Sequence, residues 1–389
     1  MTDVATPTTS TRTPDAIRRA FRAAVAPLAA VVVCLALTAV VLAALPSAGG
    51  EPHTFTEALA IIGRTTWERV LLPRPPTSDE GYRNWLQTLQ AATPLILTGL
   101  AVAVAFRANV LNIGAQGQYV CGAIAAAAVG VYATPLSAPT LIPLHLVSAT
   151  VAGALLAIVA AVLDRWRRVP VVLSTLLLNF IALEFLRYLL QGPMRATAAD
   201  GTLLDPQSPE LLEAARLPQF FAGPSGQGVH LGFFIAVAAA VTIAFVLRQT
   251  TFGFRLRVVG QNPDAGRFAG MNVARVSFAT LALSGALAGL AGGVQVAGVV
   301  PFVLLRDVGT DGIGFTGIAV ALLARLSPLG VVLSAIFFGL LTTTFRALER
   351  SPLDVHAATA QAVQGALVIA ILVITSTRWG RTHASTSES

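Results

Sequence analysis

Asn109, Asn112, Gln116 and Gln118 stand within one decapeptide, N-V-L-N-I-G-A-Q-G-Q at 109–118. Carboxamides neither titrate nor attack, so covalent chemistry is not their business. Each offers N–H donors and a carbonyl acceptor, which suits reversible recognition of hydroxyls and amides. Two apolar runs, 95–105 and 120–132, flank the stretch. Hydrocarbon provides no water to an exposed amide, so irregular backbone at that depth survives only where it is buried in protein or lines a cavity. A chain that spends Asn112, Gln116 and Gln118 there is building a passage or a binding site. That pattern points to transport.

Further intramembrane polar groups extend the candidate pathway. Asn179 and Gln295 fall inside apolar runs, and Glu184 is the one acid within a span. An intramembrane acid is a functional candidate by default. Glu184 either pairs with Arg187 or lines the path. Phe180 and Phe315 are of a type that stacks on a base, although phenylalanine in a membrane helix more often packs. The amides have a plainer reading too, as hydrogen-bonded bridges between helices.

The rest of the chain excludes much. All 26 basic residues are arginine. Without lysine there is no Walker A phosphate lysine and no Schiff base, so any ATP that drives transport binds another polypeptide. Cys34 and Cys121 lie far apart in apolar runs, and the five histidines show no metal-ligand spacing. No catalytic residue, metal or cofactor is expected. Gly312–Gly317 fits G-x-G-x-x-G with no strand before it, and Gly285, Gly289 and Gly293 read as close helix packing. Arginines gather at helix ends, which suits a membrane collar and not a nucleic acid.

These groups need elements to hold them. The 389 residues are 55% apolar and 12% charged, with mean hydropathy +0.73. The charged share is about half that of a soluble protein. The pattern predicts an all-α polytopic membrane protein of about ten spans: 25–46, 88–106, 117–134, 141–163, 171–190, 231–247, 276–297, 312–326, 329–346 and 359–377. Sixteen of the 26 arginines fall on one side, which places both termini in the cytoplasm. The first span is too long for a signal-peptide core and reads as a retained helix. Residues 1–16 and 380–389 are expected to be disordered tails around a single domain, 17–379. Long outer loops at 47–87 and 191–230 suit the reception of a partner, the first with an interfacial helix near 55–72. Spans 2–5 and 7–10 run in opposite directions, the arrangement of an inverted repeat.

The inner loop 248–275 carries its own signature. Asn262 suits an N-cap, Pro263 the first helical position, Asp264 the positive helix end and Gly270 a left-handed C-terminus. The spacing predicts a short exposed helix over 263–269. It is either an ordinary capped turn or a docking helix, with Arg255, Arg257 and Arg267 free to meet acidic partner residues.

Four segments in order carry a family resemblance: 97–118 (L-T-G-L-A-V-A-V-A-F-R-A-N-V-L-N-I-G-A-Q-G-Q), 173–183 (L-S-T-L-L-L-N-F-I-A-L), 256–272 (L-R-V-V-G-Q-N-P-D-A-G-R-F-A-G-M-N) and 314–330 (G-F-T-G-I-A-V-A-L-L-A-R-L-S-P-L-G). From about residue 90 to 375 the chain resembles permease subunits of bacterial ABC importers for nucleosides and simple sugars, the nucleoside branch above all. Val171 or Val172, Gln116 and Ala324 stand where that family commonly has an acid, a glutamate and a glycine. The resemblance implies a cell-membrane subunit without catalytic residues of its own. It implies partnership with a cytoplasmic ABC ATPase, a second related permease, giving a heterodimer, and an extracytoplasmic solute-binding lipoprotein. Residues Arg257, Gly260, Asn262, Pro263, Asp264, Arg267 and Gly270 would then form the coupling element facing the ATPase. The rival class is a stand-alone secondary carrier, which Glu184 alone serves poorly. A membrane enzyme is a more distant rival, because no acid or metal cluster lies at a membrane face.

Overall fold

In a computed structural model of the protein, the described residues are 79–133, 136–197, 206–220, 228–299, 301–303, 305–310 and 312–349, with isolated helical positions at 56, 57, 60, 64 and 365. The chain divides into two compact units, Gly63–Ala357 and Met1–Ile62 with Ala358–Ser389. Nearly every described residue belongs to the first. The expected tails, the span 25–46 and all of 359–377 but Gly365 lie outside the described residues.

The first unit is built from helices α1 (Asp79–Arg107), α2 (Ala115–Tyr132), α3 (Ala138–Arg167), α4 (Val171–Gln191), α5 (Leu231–Gln249), α6 (Thr251–Gln261), α7 (Pro263–Phe268), α8 (Val273–Gly298), α9 (Ile313–Leu323) and α10 (Pro328–Glu349). A two-residue antiparallel pair, β1 (Gln219–Phe220) and β2 (Val229–His230), precedes α5. The protein is all-α in character. Among the described residues five helices are long and apolar enough to cross a membrane: Trp85–Arg107, Ala138–Arg167, Val171–Gln191, Leu231–Gln249 and Val273–Gly298. Ile313–Leu323 and Pro328–Thr344 are shorter apolar helices.

Burial ranks these helices. In α1, 78% of the apolar window is buried inside the protein, against 28% in α3, α4 and α5. Helix α1 is therefore the central post, and the other three present most of their surface outward. Between apolar helices in lipid no hydrophobic force remains, so close approach of small residues takes over. Helix α8 illustrates it. A Cβ on Gly289 would lie 2.8 Å from Gly153 Cα in α3, and one on Gly122 in α2 would lie 2.6 Å from the carbonyl carbon of Gly289. The glycines expected to pack closely do so, with α2 and α3 as their partners.

The described parts of the loop 191–230 are pinned to the bundle. Leu211 and Leu217 donate backbone bonds to the carbonyls of Pro301 and Ala297 at 2.7 and 2.8 Å, and Leu212 donates to Gly130 at 3.0 Å. Leu211, Ala215 and Leu217 of this strap are buried.

Candidate functional site

The polar decapeptide is a break between two helices, and its geometry follows from its residues. Helix α1 ends in a Schellman closure: Val110 N–H bonds the Ala105 carbonyl at 3.0 Å and Asn109 N–H bonds Phe106 at 3.1 Å. Asn109 occupies the left-handed region at φ 59°, which asparagine tolerates better than most residues. Asn112 then folds the chain back, its Oδ1 accepting from Gly114 N–H at 2.9 Å, and α2 starts at Ala115.

Four predicted amides converge here, and all are buried. Asn112 Nδ2 donates to Gln118 Oε1 at 3.0 Å and to Ser284 Oγ at 2.9 Å, while Gln118 Nε2 returns a bond to Asn112 Oδ1 at 3.2 Å. Ser284 Oγ donates onward to the Ala101 carbonyl at 2.7 Å, which joins α8, the break and α1 in one chain of bonds. Asn179 in α4 clamps the break from the other side. Its Oδ1 accepts from Gly117 N–H at 2.8 Å and its Nδ2 donates to the Ile113 carbonyl at 3.0 Å. Thr175, one turn earlier, accepts from Ile113 N–H at 3.3 Å. These bonds answer the backbone groups that the interrupted helix leaves without partners.

Gln116 joins a second break. Its Oε1 accepts from Gly314 N–H at 2.7 Å, and its Nε2 donates to the carbonyls of Val308 and Gly309, each at 3.3 Å. Those carbonyls belong to a single π-helical turn, Leu305–Thr310, just ahead of α9. A Cβ on Gly314 would lie 2.7 Å from the Ala115 carbonyl carbon, so the N-termini of α2 and α9 abut. Each of these helices follows an irregular segment.

The remaining pathway candidates lie apart from this cluster. Gln295 is buried in α8 and, among the described residues, makes no side-chain hydrogen bond. Glu184 is on the open face of α4, its side chain 61% exposed and paired with Arg187 at 2.8 Å. Phe180, Ile181 and Tyr188 share that face and are each more than 60% exposed. Leu111 in the break and Phe315 in α9 are also exposed. The amides therefore form the frame, while Glu184 and the aromatics form an uncovered surface. Sequence reasoning missed Thr175 and Ser284. Thr175 stands four residues before Asn179, a spacing that puts both on one helix face. Nothing in sequence marks Ser284.

The inner loop folds as its residues dictate. Asn262 Oδ1 accepts from the amides of Asp264 and Ala265, both at 3.0 Å, and Pro263 opens α7. The helix ends at Phe268, one residue before the expected limit. Gly270 follows at φ 75°, with Met271 N–H bonded to the Gly266 carbonyl at 2.9 Å. Arg267 pairs with Asp264 one turn back, and Phe268 is 93% exposed. Upstream, Gly260 rests on the end of α1: a Cβ there would lie 2.9 Å from the Arg107 carbonyl carbon and 3.0 Å from Ala108 Cα. Arg257 is half-buried, unlike Arg255 and Arg267, which are exposed. A cleft of about 500 Å³ opens between this loop, the end of α3 and the start of α4, lined by Val110, Asp164, Arg267, Asn272 and Phe278 among others. The loop thus touches the end of α1 at Arg107 and Ala108 and shares a cleft with Val110 of the break.

Comparison with known proteins agrees with this architecture. Residues 84–372 match a family described as branched-chain amino acid transport system / permease component. The chain is 39% identical over 295 residues to the glucose ABC transporter permease protein TsgB13 of Haloferax volcanii, covering 74% of this chain and 75% of that protein. It is 36% identical over 262 residues to the guanosine ABC transporter permease protein NupP of Bacillus subtilis, covering 65% and 71%. A second guanosine permease protein of that organism, NupQ, is 28% identical over 255 residues, covering 65% and 78%. The chain belongs to this family of permease components, the multi-pass membrane subunits of ABC importers.

Proposed function

We propose that this chain forms one half of the translocation pathway of an ATP-driven importer for nucleosides in a bacterial cell membrane, with both termini cytoplasmic. The observation that carries the reading is the open face of α4. Glu184, Phe180 and Tyr188 lie there exposed, next to a break held rigid by Asn179. A carboxylate accepts from ribose hydroxyls and an aromatic ring stacks on a base. The second permease covers this face and completes the path. NupP and NupQ, two guanosine permease proteins of one organism, support a heterodimer. In this reading Asn112, Gln116, Gln118 and Asn179 set the shape of the pathway wall, and Gln295 supplies a free amide.

The reading includes ten spans in a single domain, 17–379, with inverted halves. The abutting N-termini of α2 and α9, each after an irregular segment, support that repeat. The ATPase docks on α7, where exposed Arg255 and Arg267 meet acidic residues and Gly260, Asn262, Pro263, Asp264 and Gly270 fix the helix. A solute-binding lipoprotein meets the outer loops 47–87 and 191–230. ATP hydrolysis then belongs to the partner, and this chain is not itself an enzyme.

A simple sugar is the second reading, favoured by the identity to TsgB13. Uptake by the reconstituted complex, measured across labelled purine and pyrimidine nucleosides and glucose, separates the two. Saturable, ATP-dependent uptake of a nucleoside is expected. Uptake of glucose alone overturns the nucleoside assignment.

A further inference from the structure

Three arginines from three elements converge where α1, α5 and α6 meet. Arg107 is in the last turn of α1, Arg248 in the last turn of α5, and Arg257 lies in α6, one turn before the glycine that rests on Arg107. The charges of Arg248 and Arg257 both act on the Arg107 guanidinium. Arg107 and Arg257 are half-buried. The salt bridges among the described residues engage other arginines, namely Arg187, Arg216 and Arg267, and among those residues no acid pairs with this triad. Partly buried like charges without a counterion are costly, so the arrangement calls for an anion from outside the chain.

The surroundings say which kind. Arg107 and Arg248 terminate two helices of spanning length, so their guanidinium groups stand at the depth of lipid phosphates. Helix α6 buries Gly253, Leu256 and Val259 and leaves Phe254 53% exposed beside exposed Arg255, as a helix lying in the bilayer interface does. An apolar track leads away from the triad along α5. Phe245 and Val241, 61% and 55% exposed, lie one and two turns before Arg248. A phosphate between the guanidinium groups with an acyl chain along this track satisfies both the charge and the apolar face. Basic pockets between spans at the cytoplasmic boundary bind anionic headgroups in this manner.

We propose that Arg107, Arg248 and Arg257 form a binding site for the phosphate of an anionic phospholipid. The lipid fastens the coupling loop to the end of α1, so that a push on α7 reaches the break through Gly260. The site rests on the membrane placement of the proposed function but not on its solute. Acidic residues of the ATPase are the competing occupant, and the exposed Arg255 and Arg267 suit them better.

The test is native mass spectrometry of the purified complex in mild detergent, titrated with phosphatidylglycerol, phosphatidylcholine of the same acyl chains, or soluble glycerol phosphate. Phosphatidylglycerol is expected to bind at least about tenfold tighter than phosphatidylcholine, and glycerol phosphate to compete poorly. Arg107→Gln or Arg248→Gln should each weaken phosphatidylglycerol about tenfold, the loss of one charge-assisted hydrogen bond. Arg107→Lys should restore part of the binding, and Arg167→Gln should change nothing. Unchanged thermal unfolding of the variants shows that they fold. Equal binding of both lipids, or of all variants, overturns the site. Full competition by glycerol phosphate assigns it to a soluble phosphate ester. Loss of the ATPase subunit with phosphatidylglycerol binding intact assigns it to an acidic protein partner. The readout is lipid binding and not transport, so it holds or fails independently of the nucleoside assignment.

Discussion

Gly260→Ala adds one methyl group where the loop proposed to couple to the ATPase meets the end of α1. That methyl would sit 2.9 Å from the Arg107 carbonyl carbon and 3.0 Å from Ala108 Cα. The Arg107 carbonyl oxygen stands closer still, and carbon atoms settle at about 3.5–4.0 Å, so α6 must retreat by about 1 Å or more. The opposing atoms are backbone, and no rotamer change relieves them. Overpacking of this kind costs about 1–3 kcal/mol. Part of it is met by lifting α6, and with it α7, off the end of α1. In proteoliposomes holding the whole importer, basal ATP hydrolysis should persist while solute transported per ATP falls by about tenfold, the equivalent of about 1.4 kcal/mol. Thermal unfolding of the purified complex guards against simple misfolding. An unchanged transport-to-hydrolysis ratio in a normally folded variant would refute the claim that motion passes through this contact.

Three further outcomes follow from the same geometry. Asn179→Leu strands the Gly117 N–H and the Ile113 carbonyl, at about 1–3 kcal/mol for each buried group. The unfolding midpoint in detergent should drop by at least about 4 °C, and an unshifted midpoint would show that the clamp is dispensable. His230 lies fully buried just before α5, among the described residues neither ring nitrogen is bonded, and burial lowers its pKa to about 4. Its unfolded pKa is about 6.5, so the unfolded chain binds the proton more readily in between. Stability is therefore whole above about pH 6.5 and is lost as pH falls toward 4, by up to about 3 kcal/mol. His230→Phe should flatten the dependence of the unfolding midpoint on pH in that window, and an identical slope would contradict it. Glu184→Gln removes an exposed pair worth less than about 1 kcal/mol, so folding should be unaffected while uptake rate or solute preference changes. Wild-type uptake kinetics across the solute panel would move the pathway off the α4 face.

Much of this was legible before any coordinates. Caps and breakers act locally, so Asn262, Pro263 and Gly270 announced α7 to within one residue. The decapeptide announced a helix break because amides and glycines between apolar runs have few other uses in a membrane. What the four amides bond to was not legible, since Asn112 reaches Ser284 and Gln116 reaches Gly314 across 172 and 198 positions. Such partners depend on which helices pack together, and that depends on glycine contacts such as Gly153 with Gly289. The division of the polar candidates was hidden for the same reason. Burial of Asn179 and exposure of Glu184, five residues apart on one helix, follow from what α4 packs against. The strap over residues 206–218 was also invisible, because most of its bonds run from loop amides to backbone carbonyls such as those of Gly130 and Ala297, which carry no side-chain signature.

On the proposed function, this permease works with a separate motor. The most direct test of that proposal is mass spectrometry of what co-purifies with the tagged chain, gently extracted from its native membrane. The account predicts an ABC ATPase and a second, related permease in fixed proportion to this chain, with a solute-binding lipoprotein as a looser companion. A homo-oligomer reproducibly free of any ATPase, yet still carrying solute down an ion gradient after reconstitution, would contradict it.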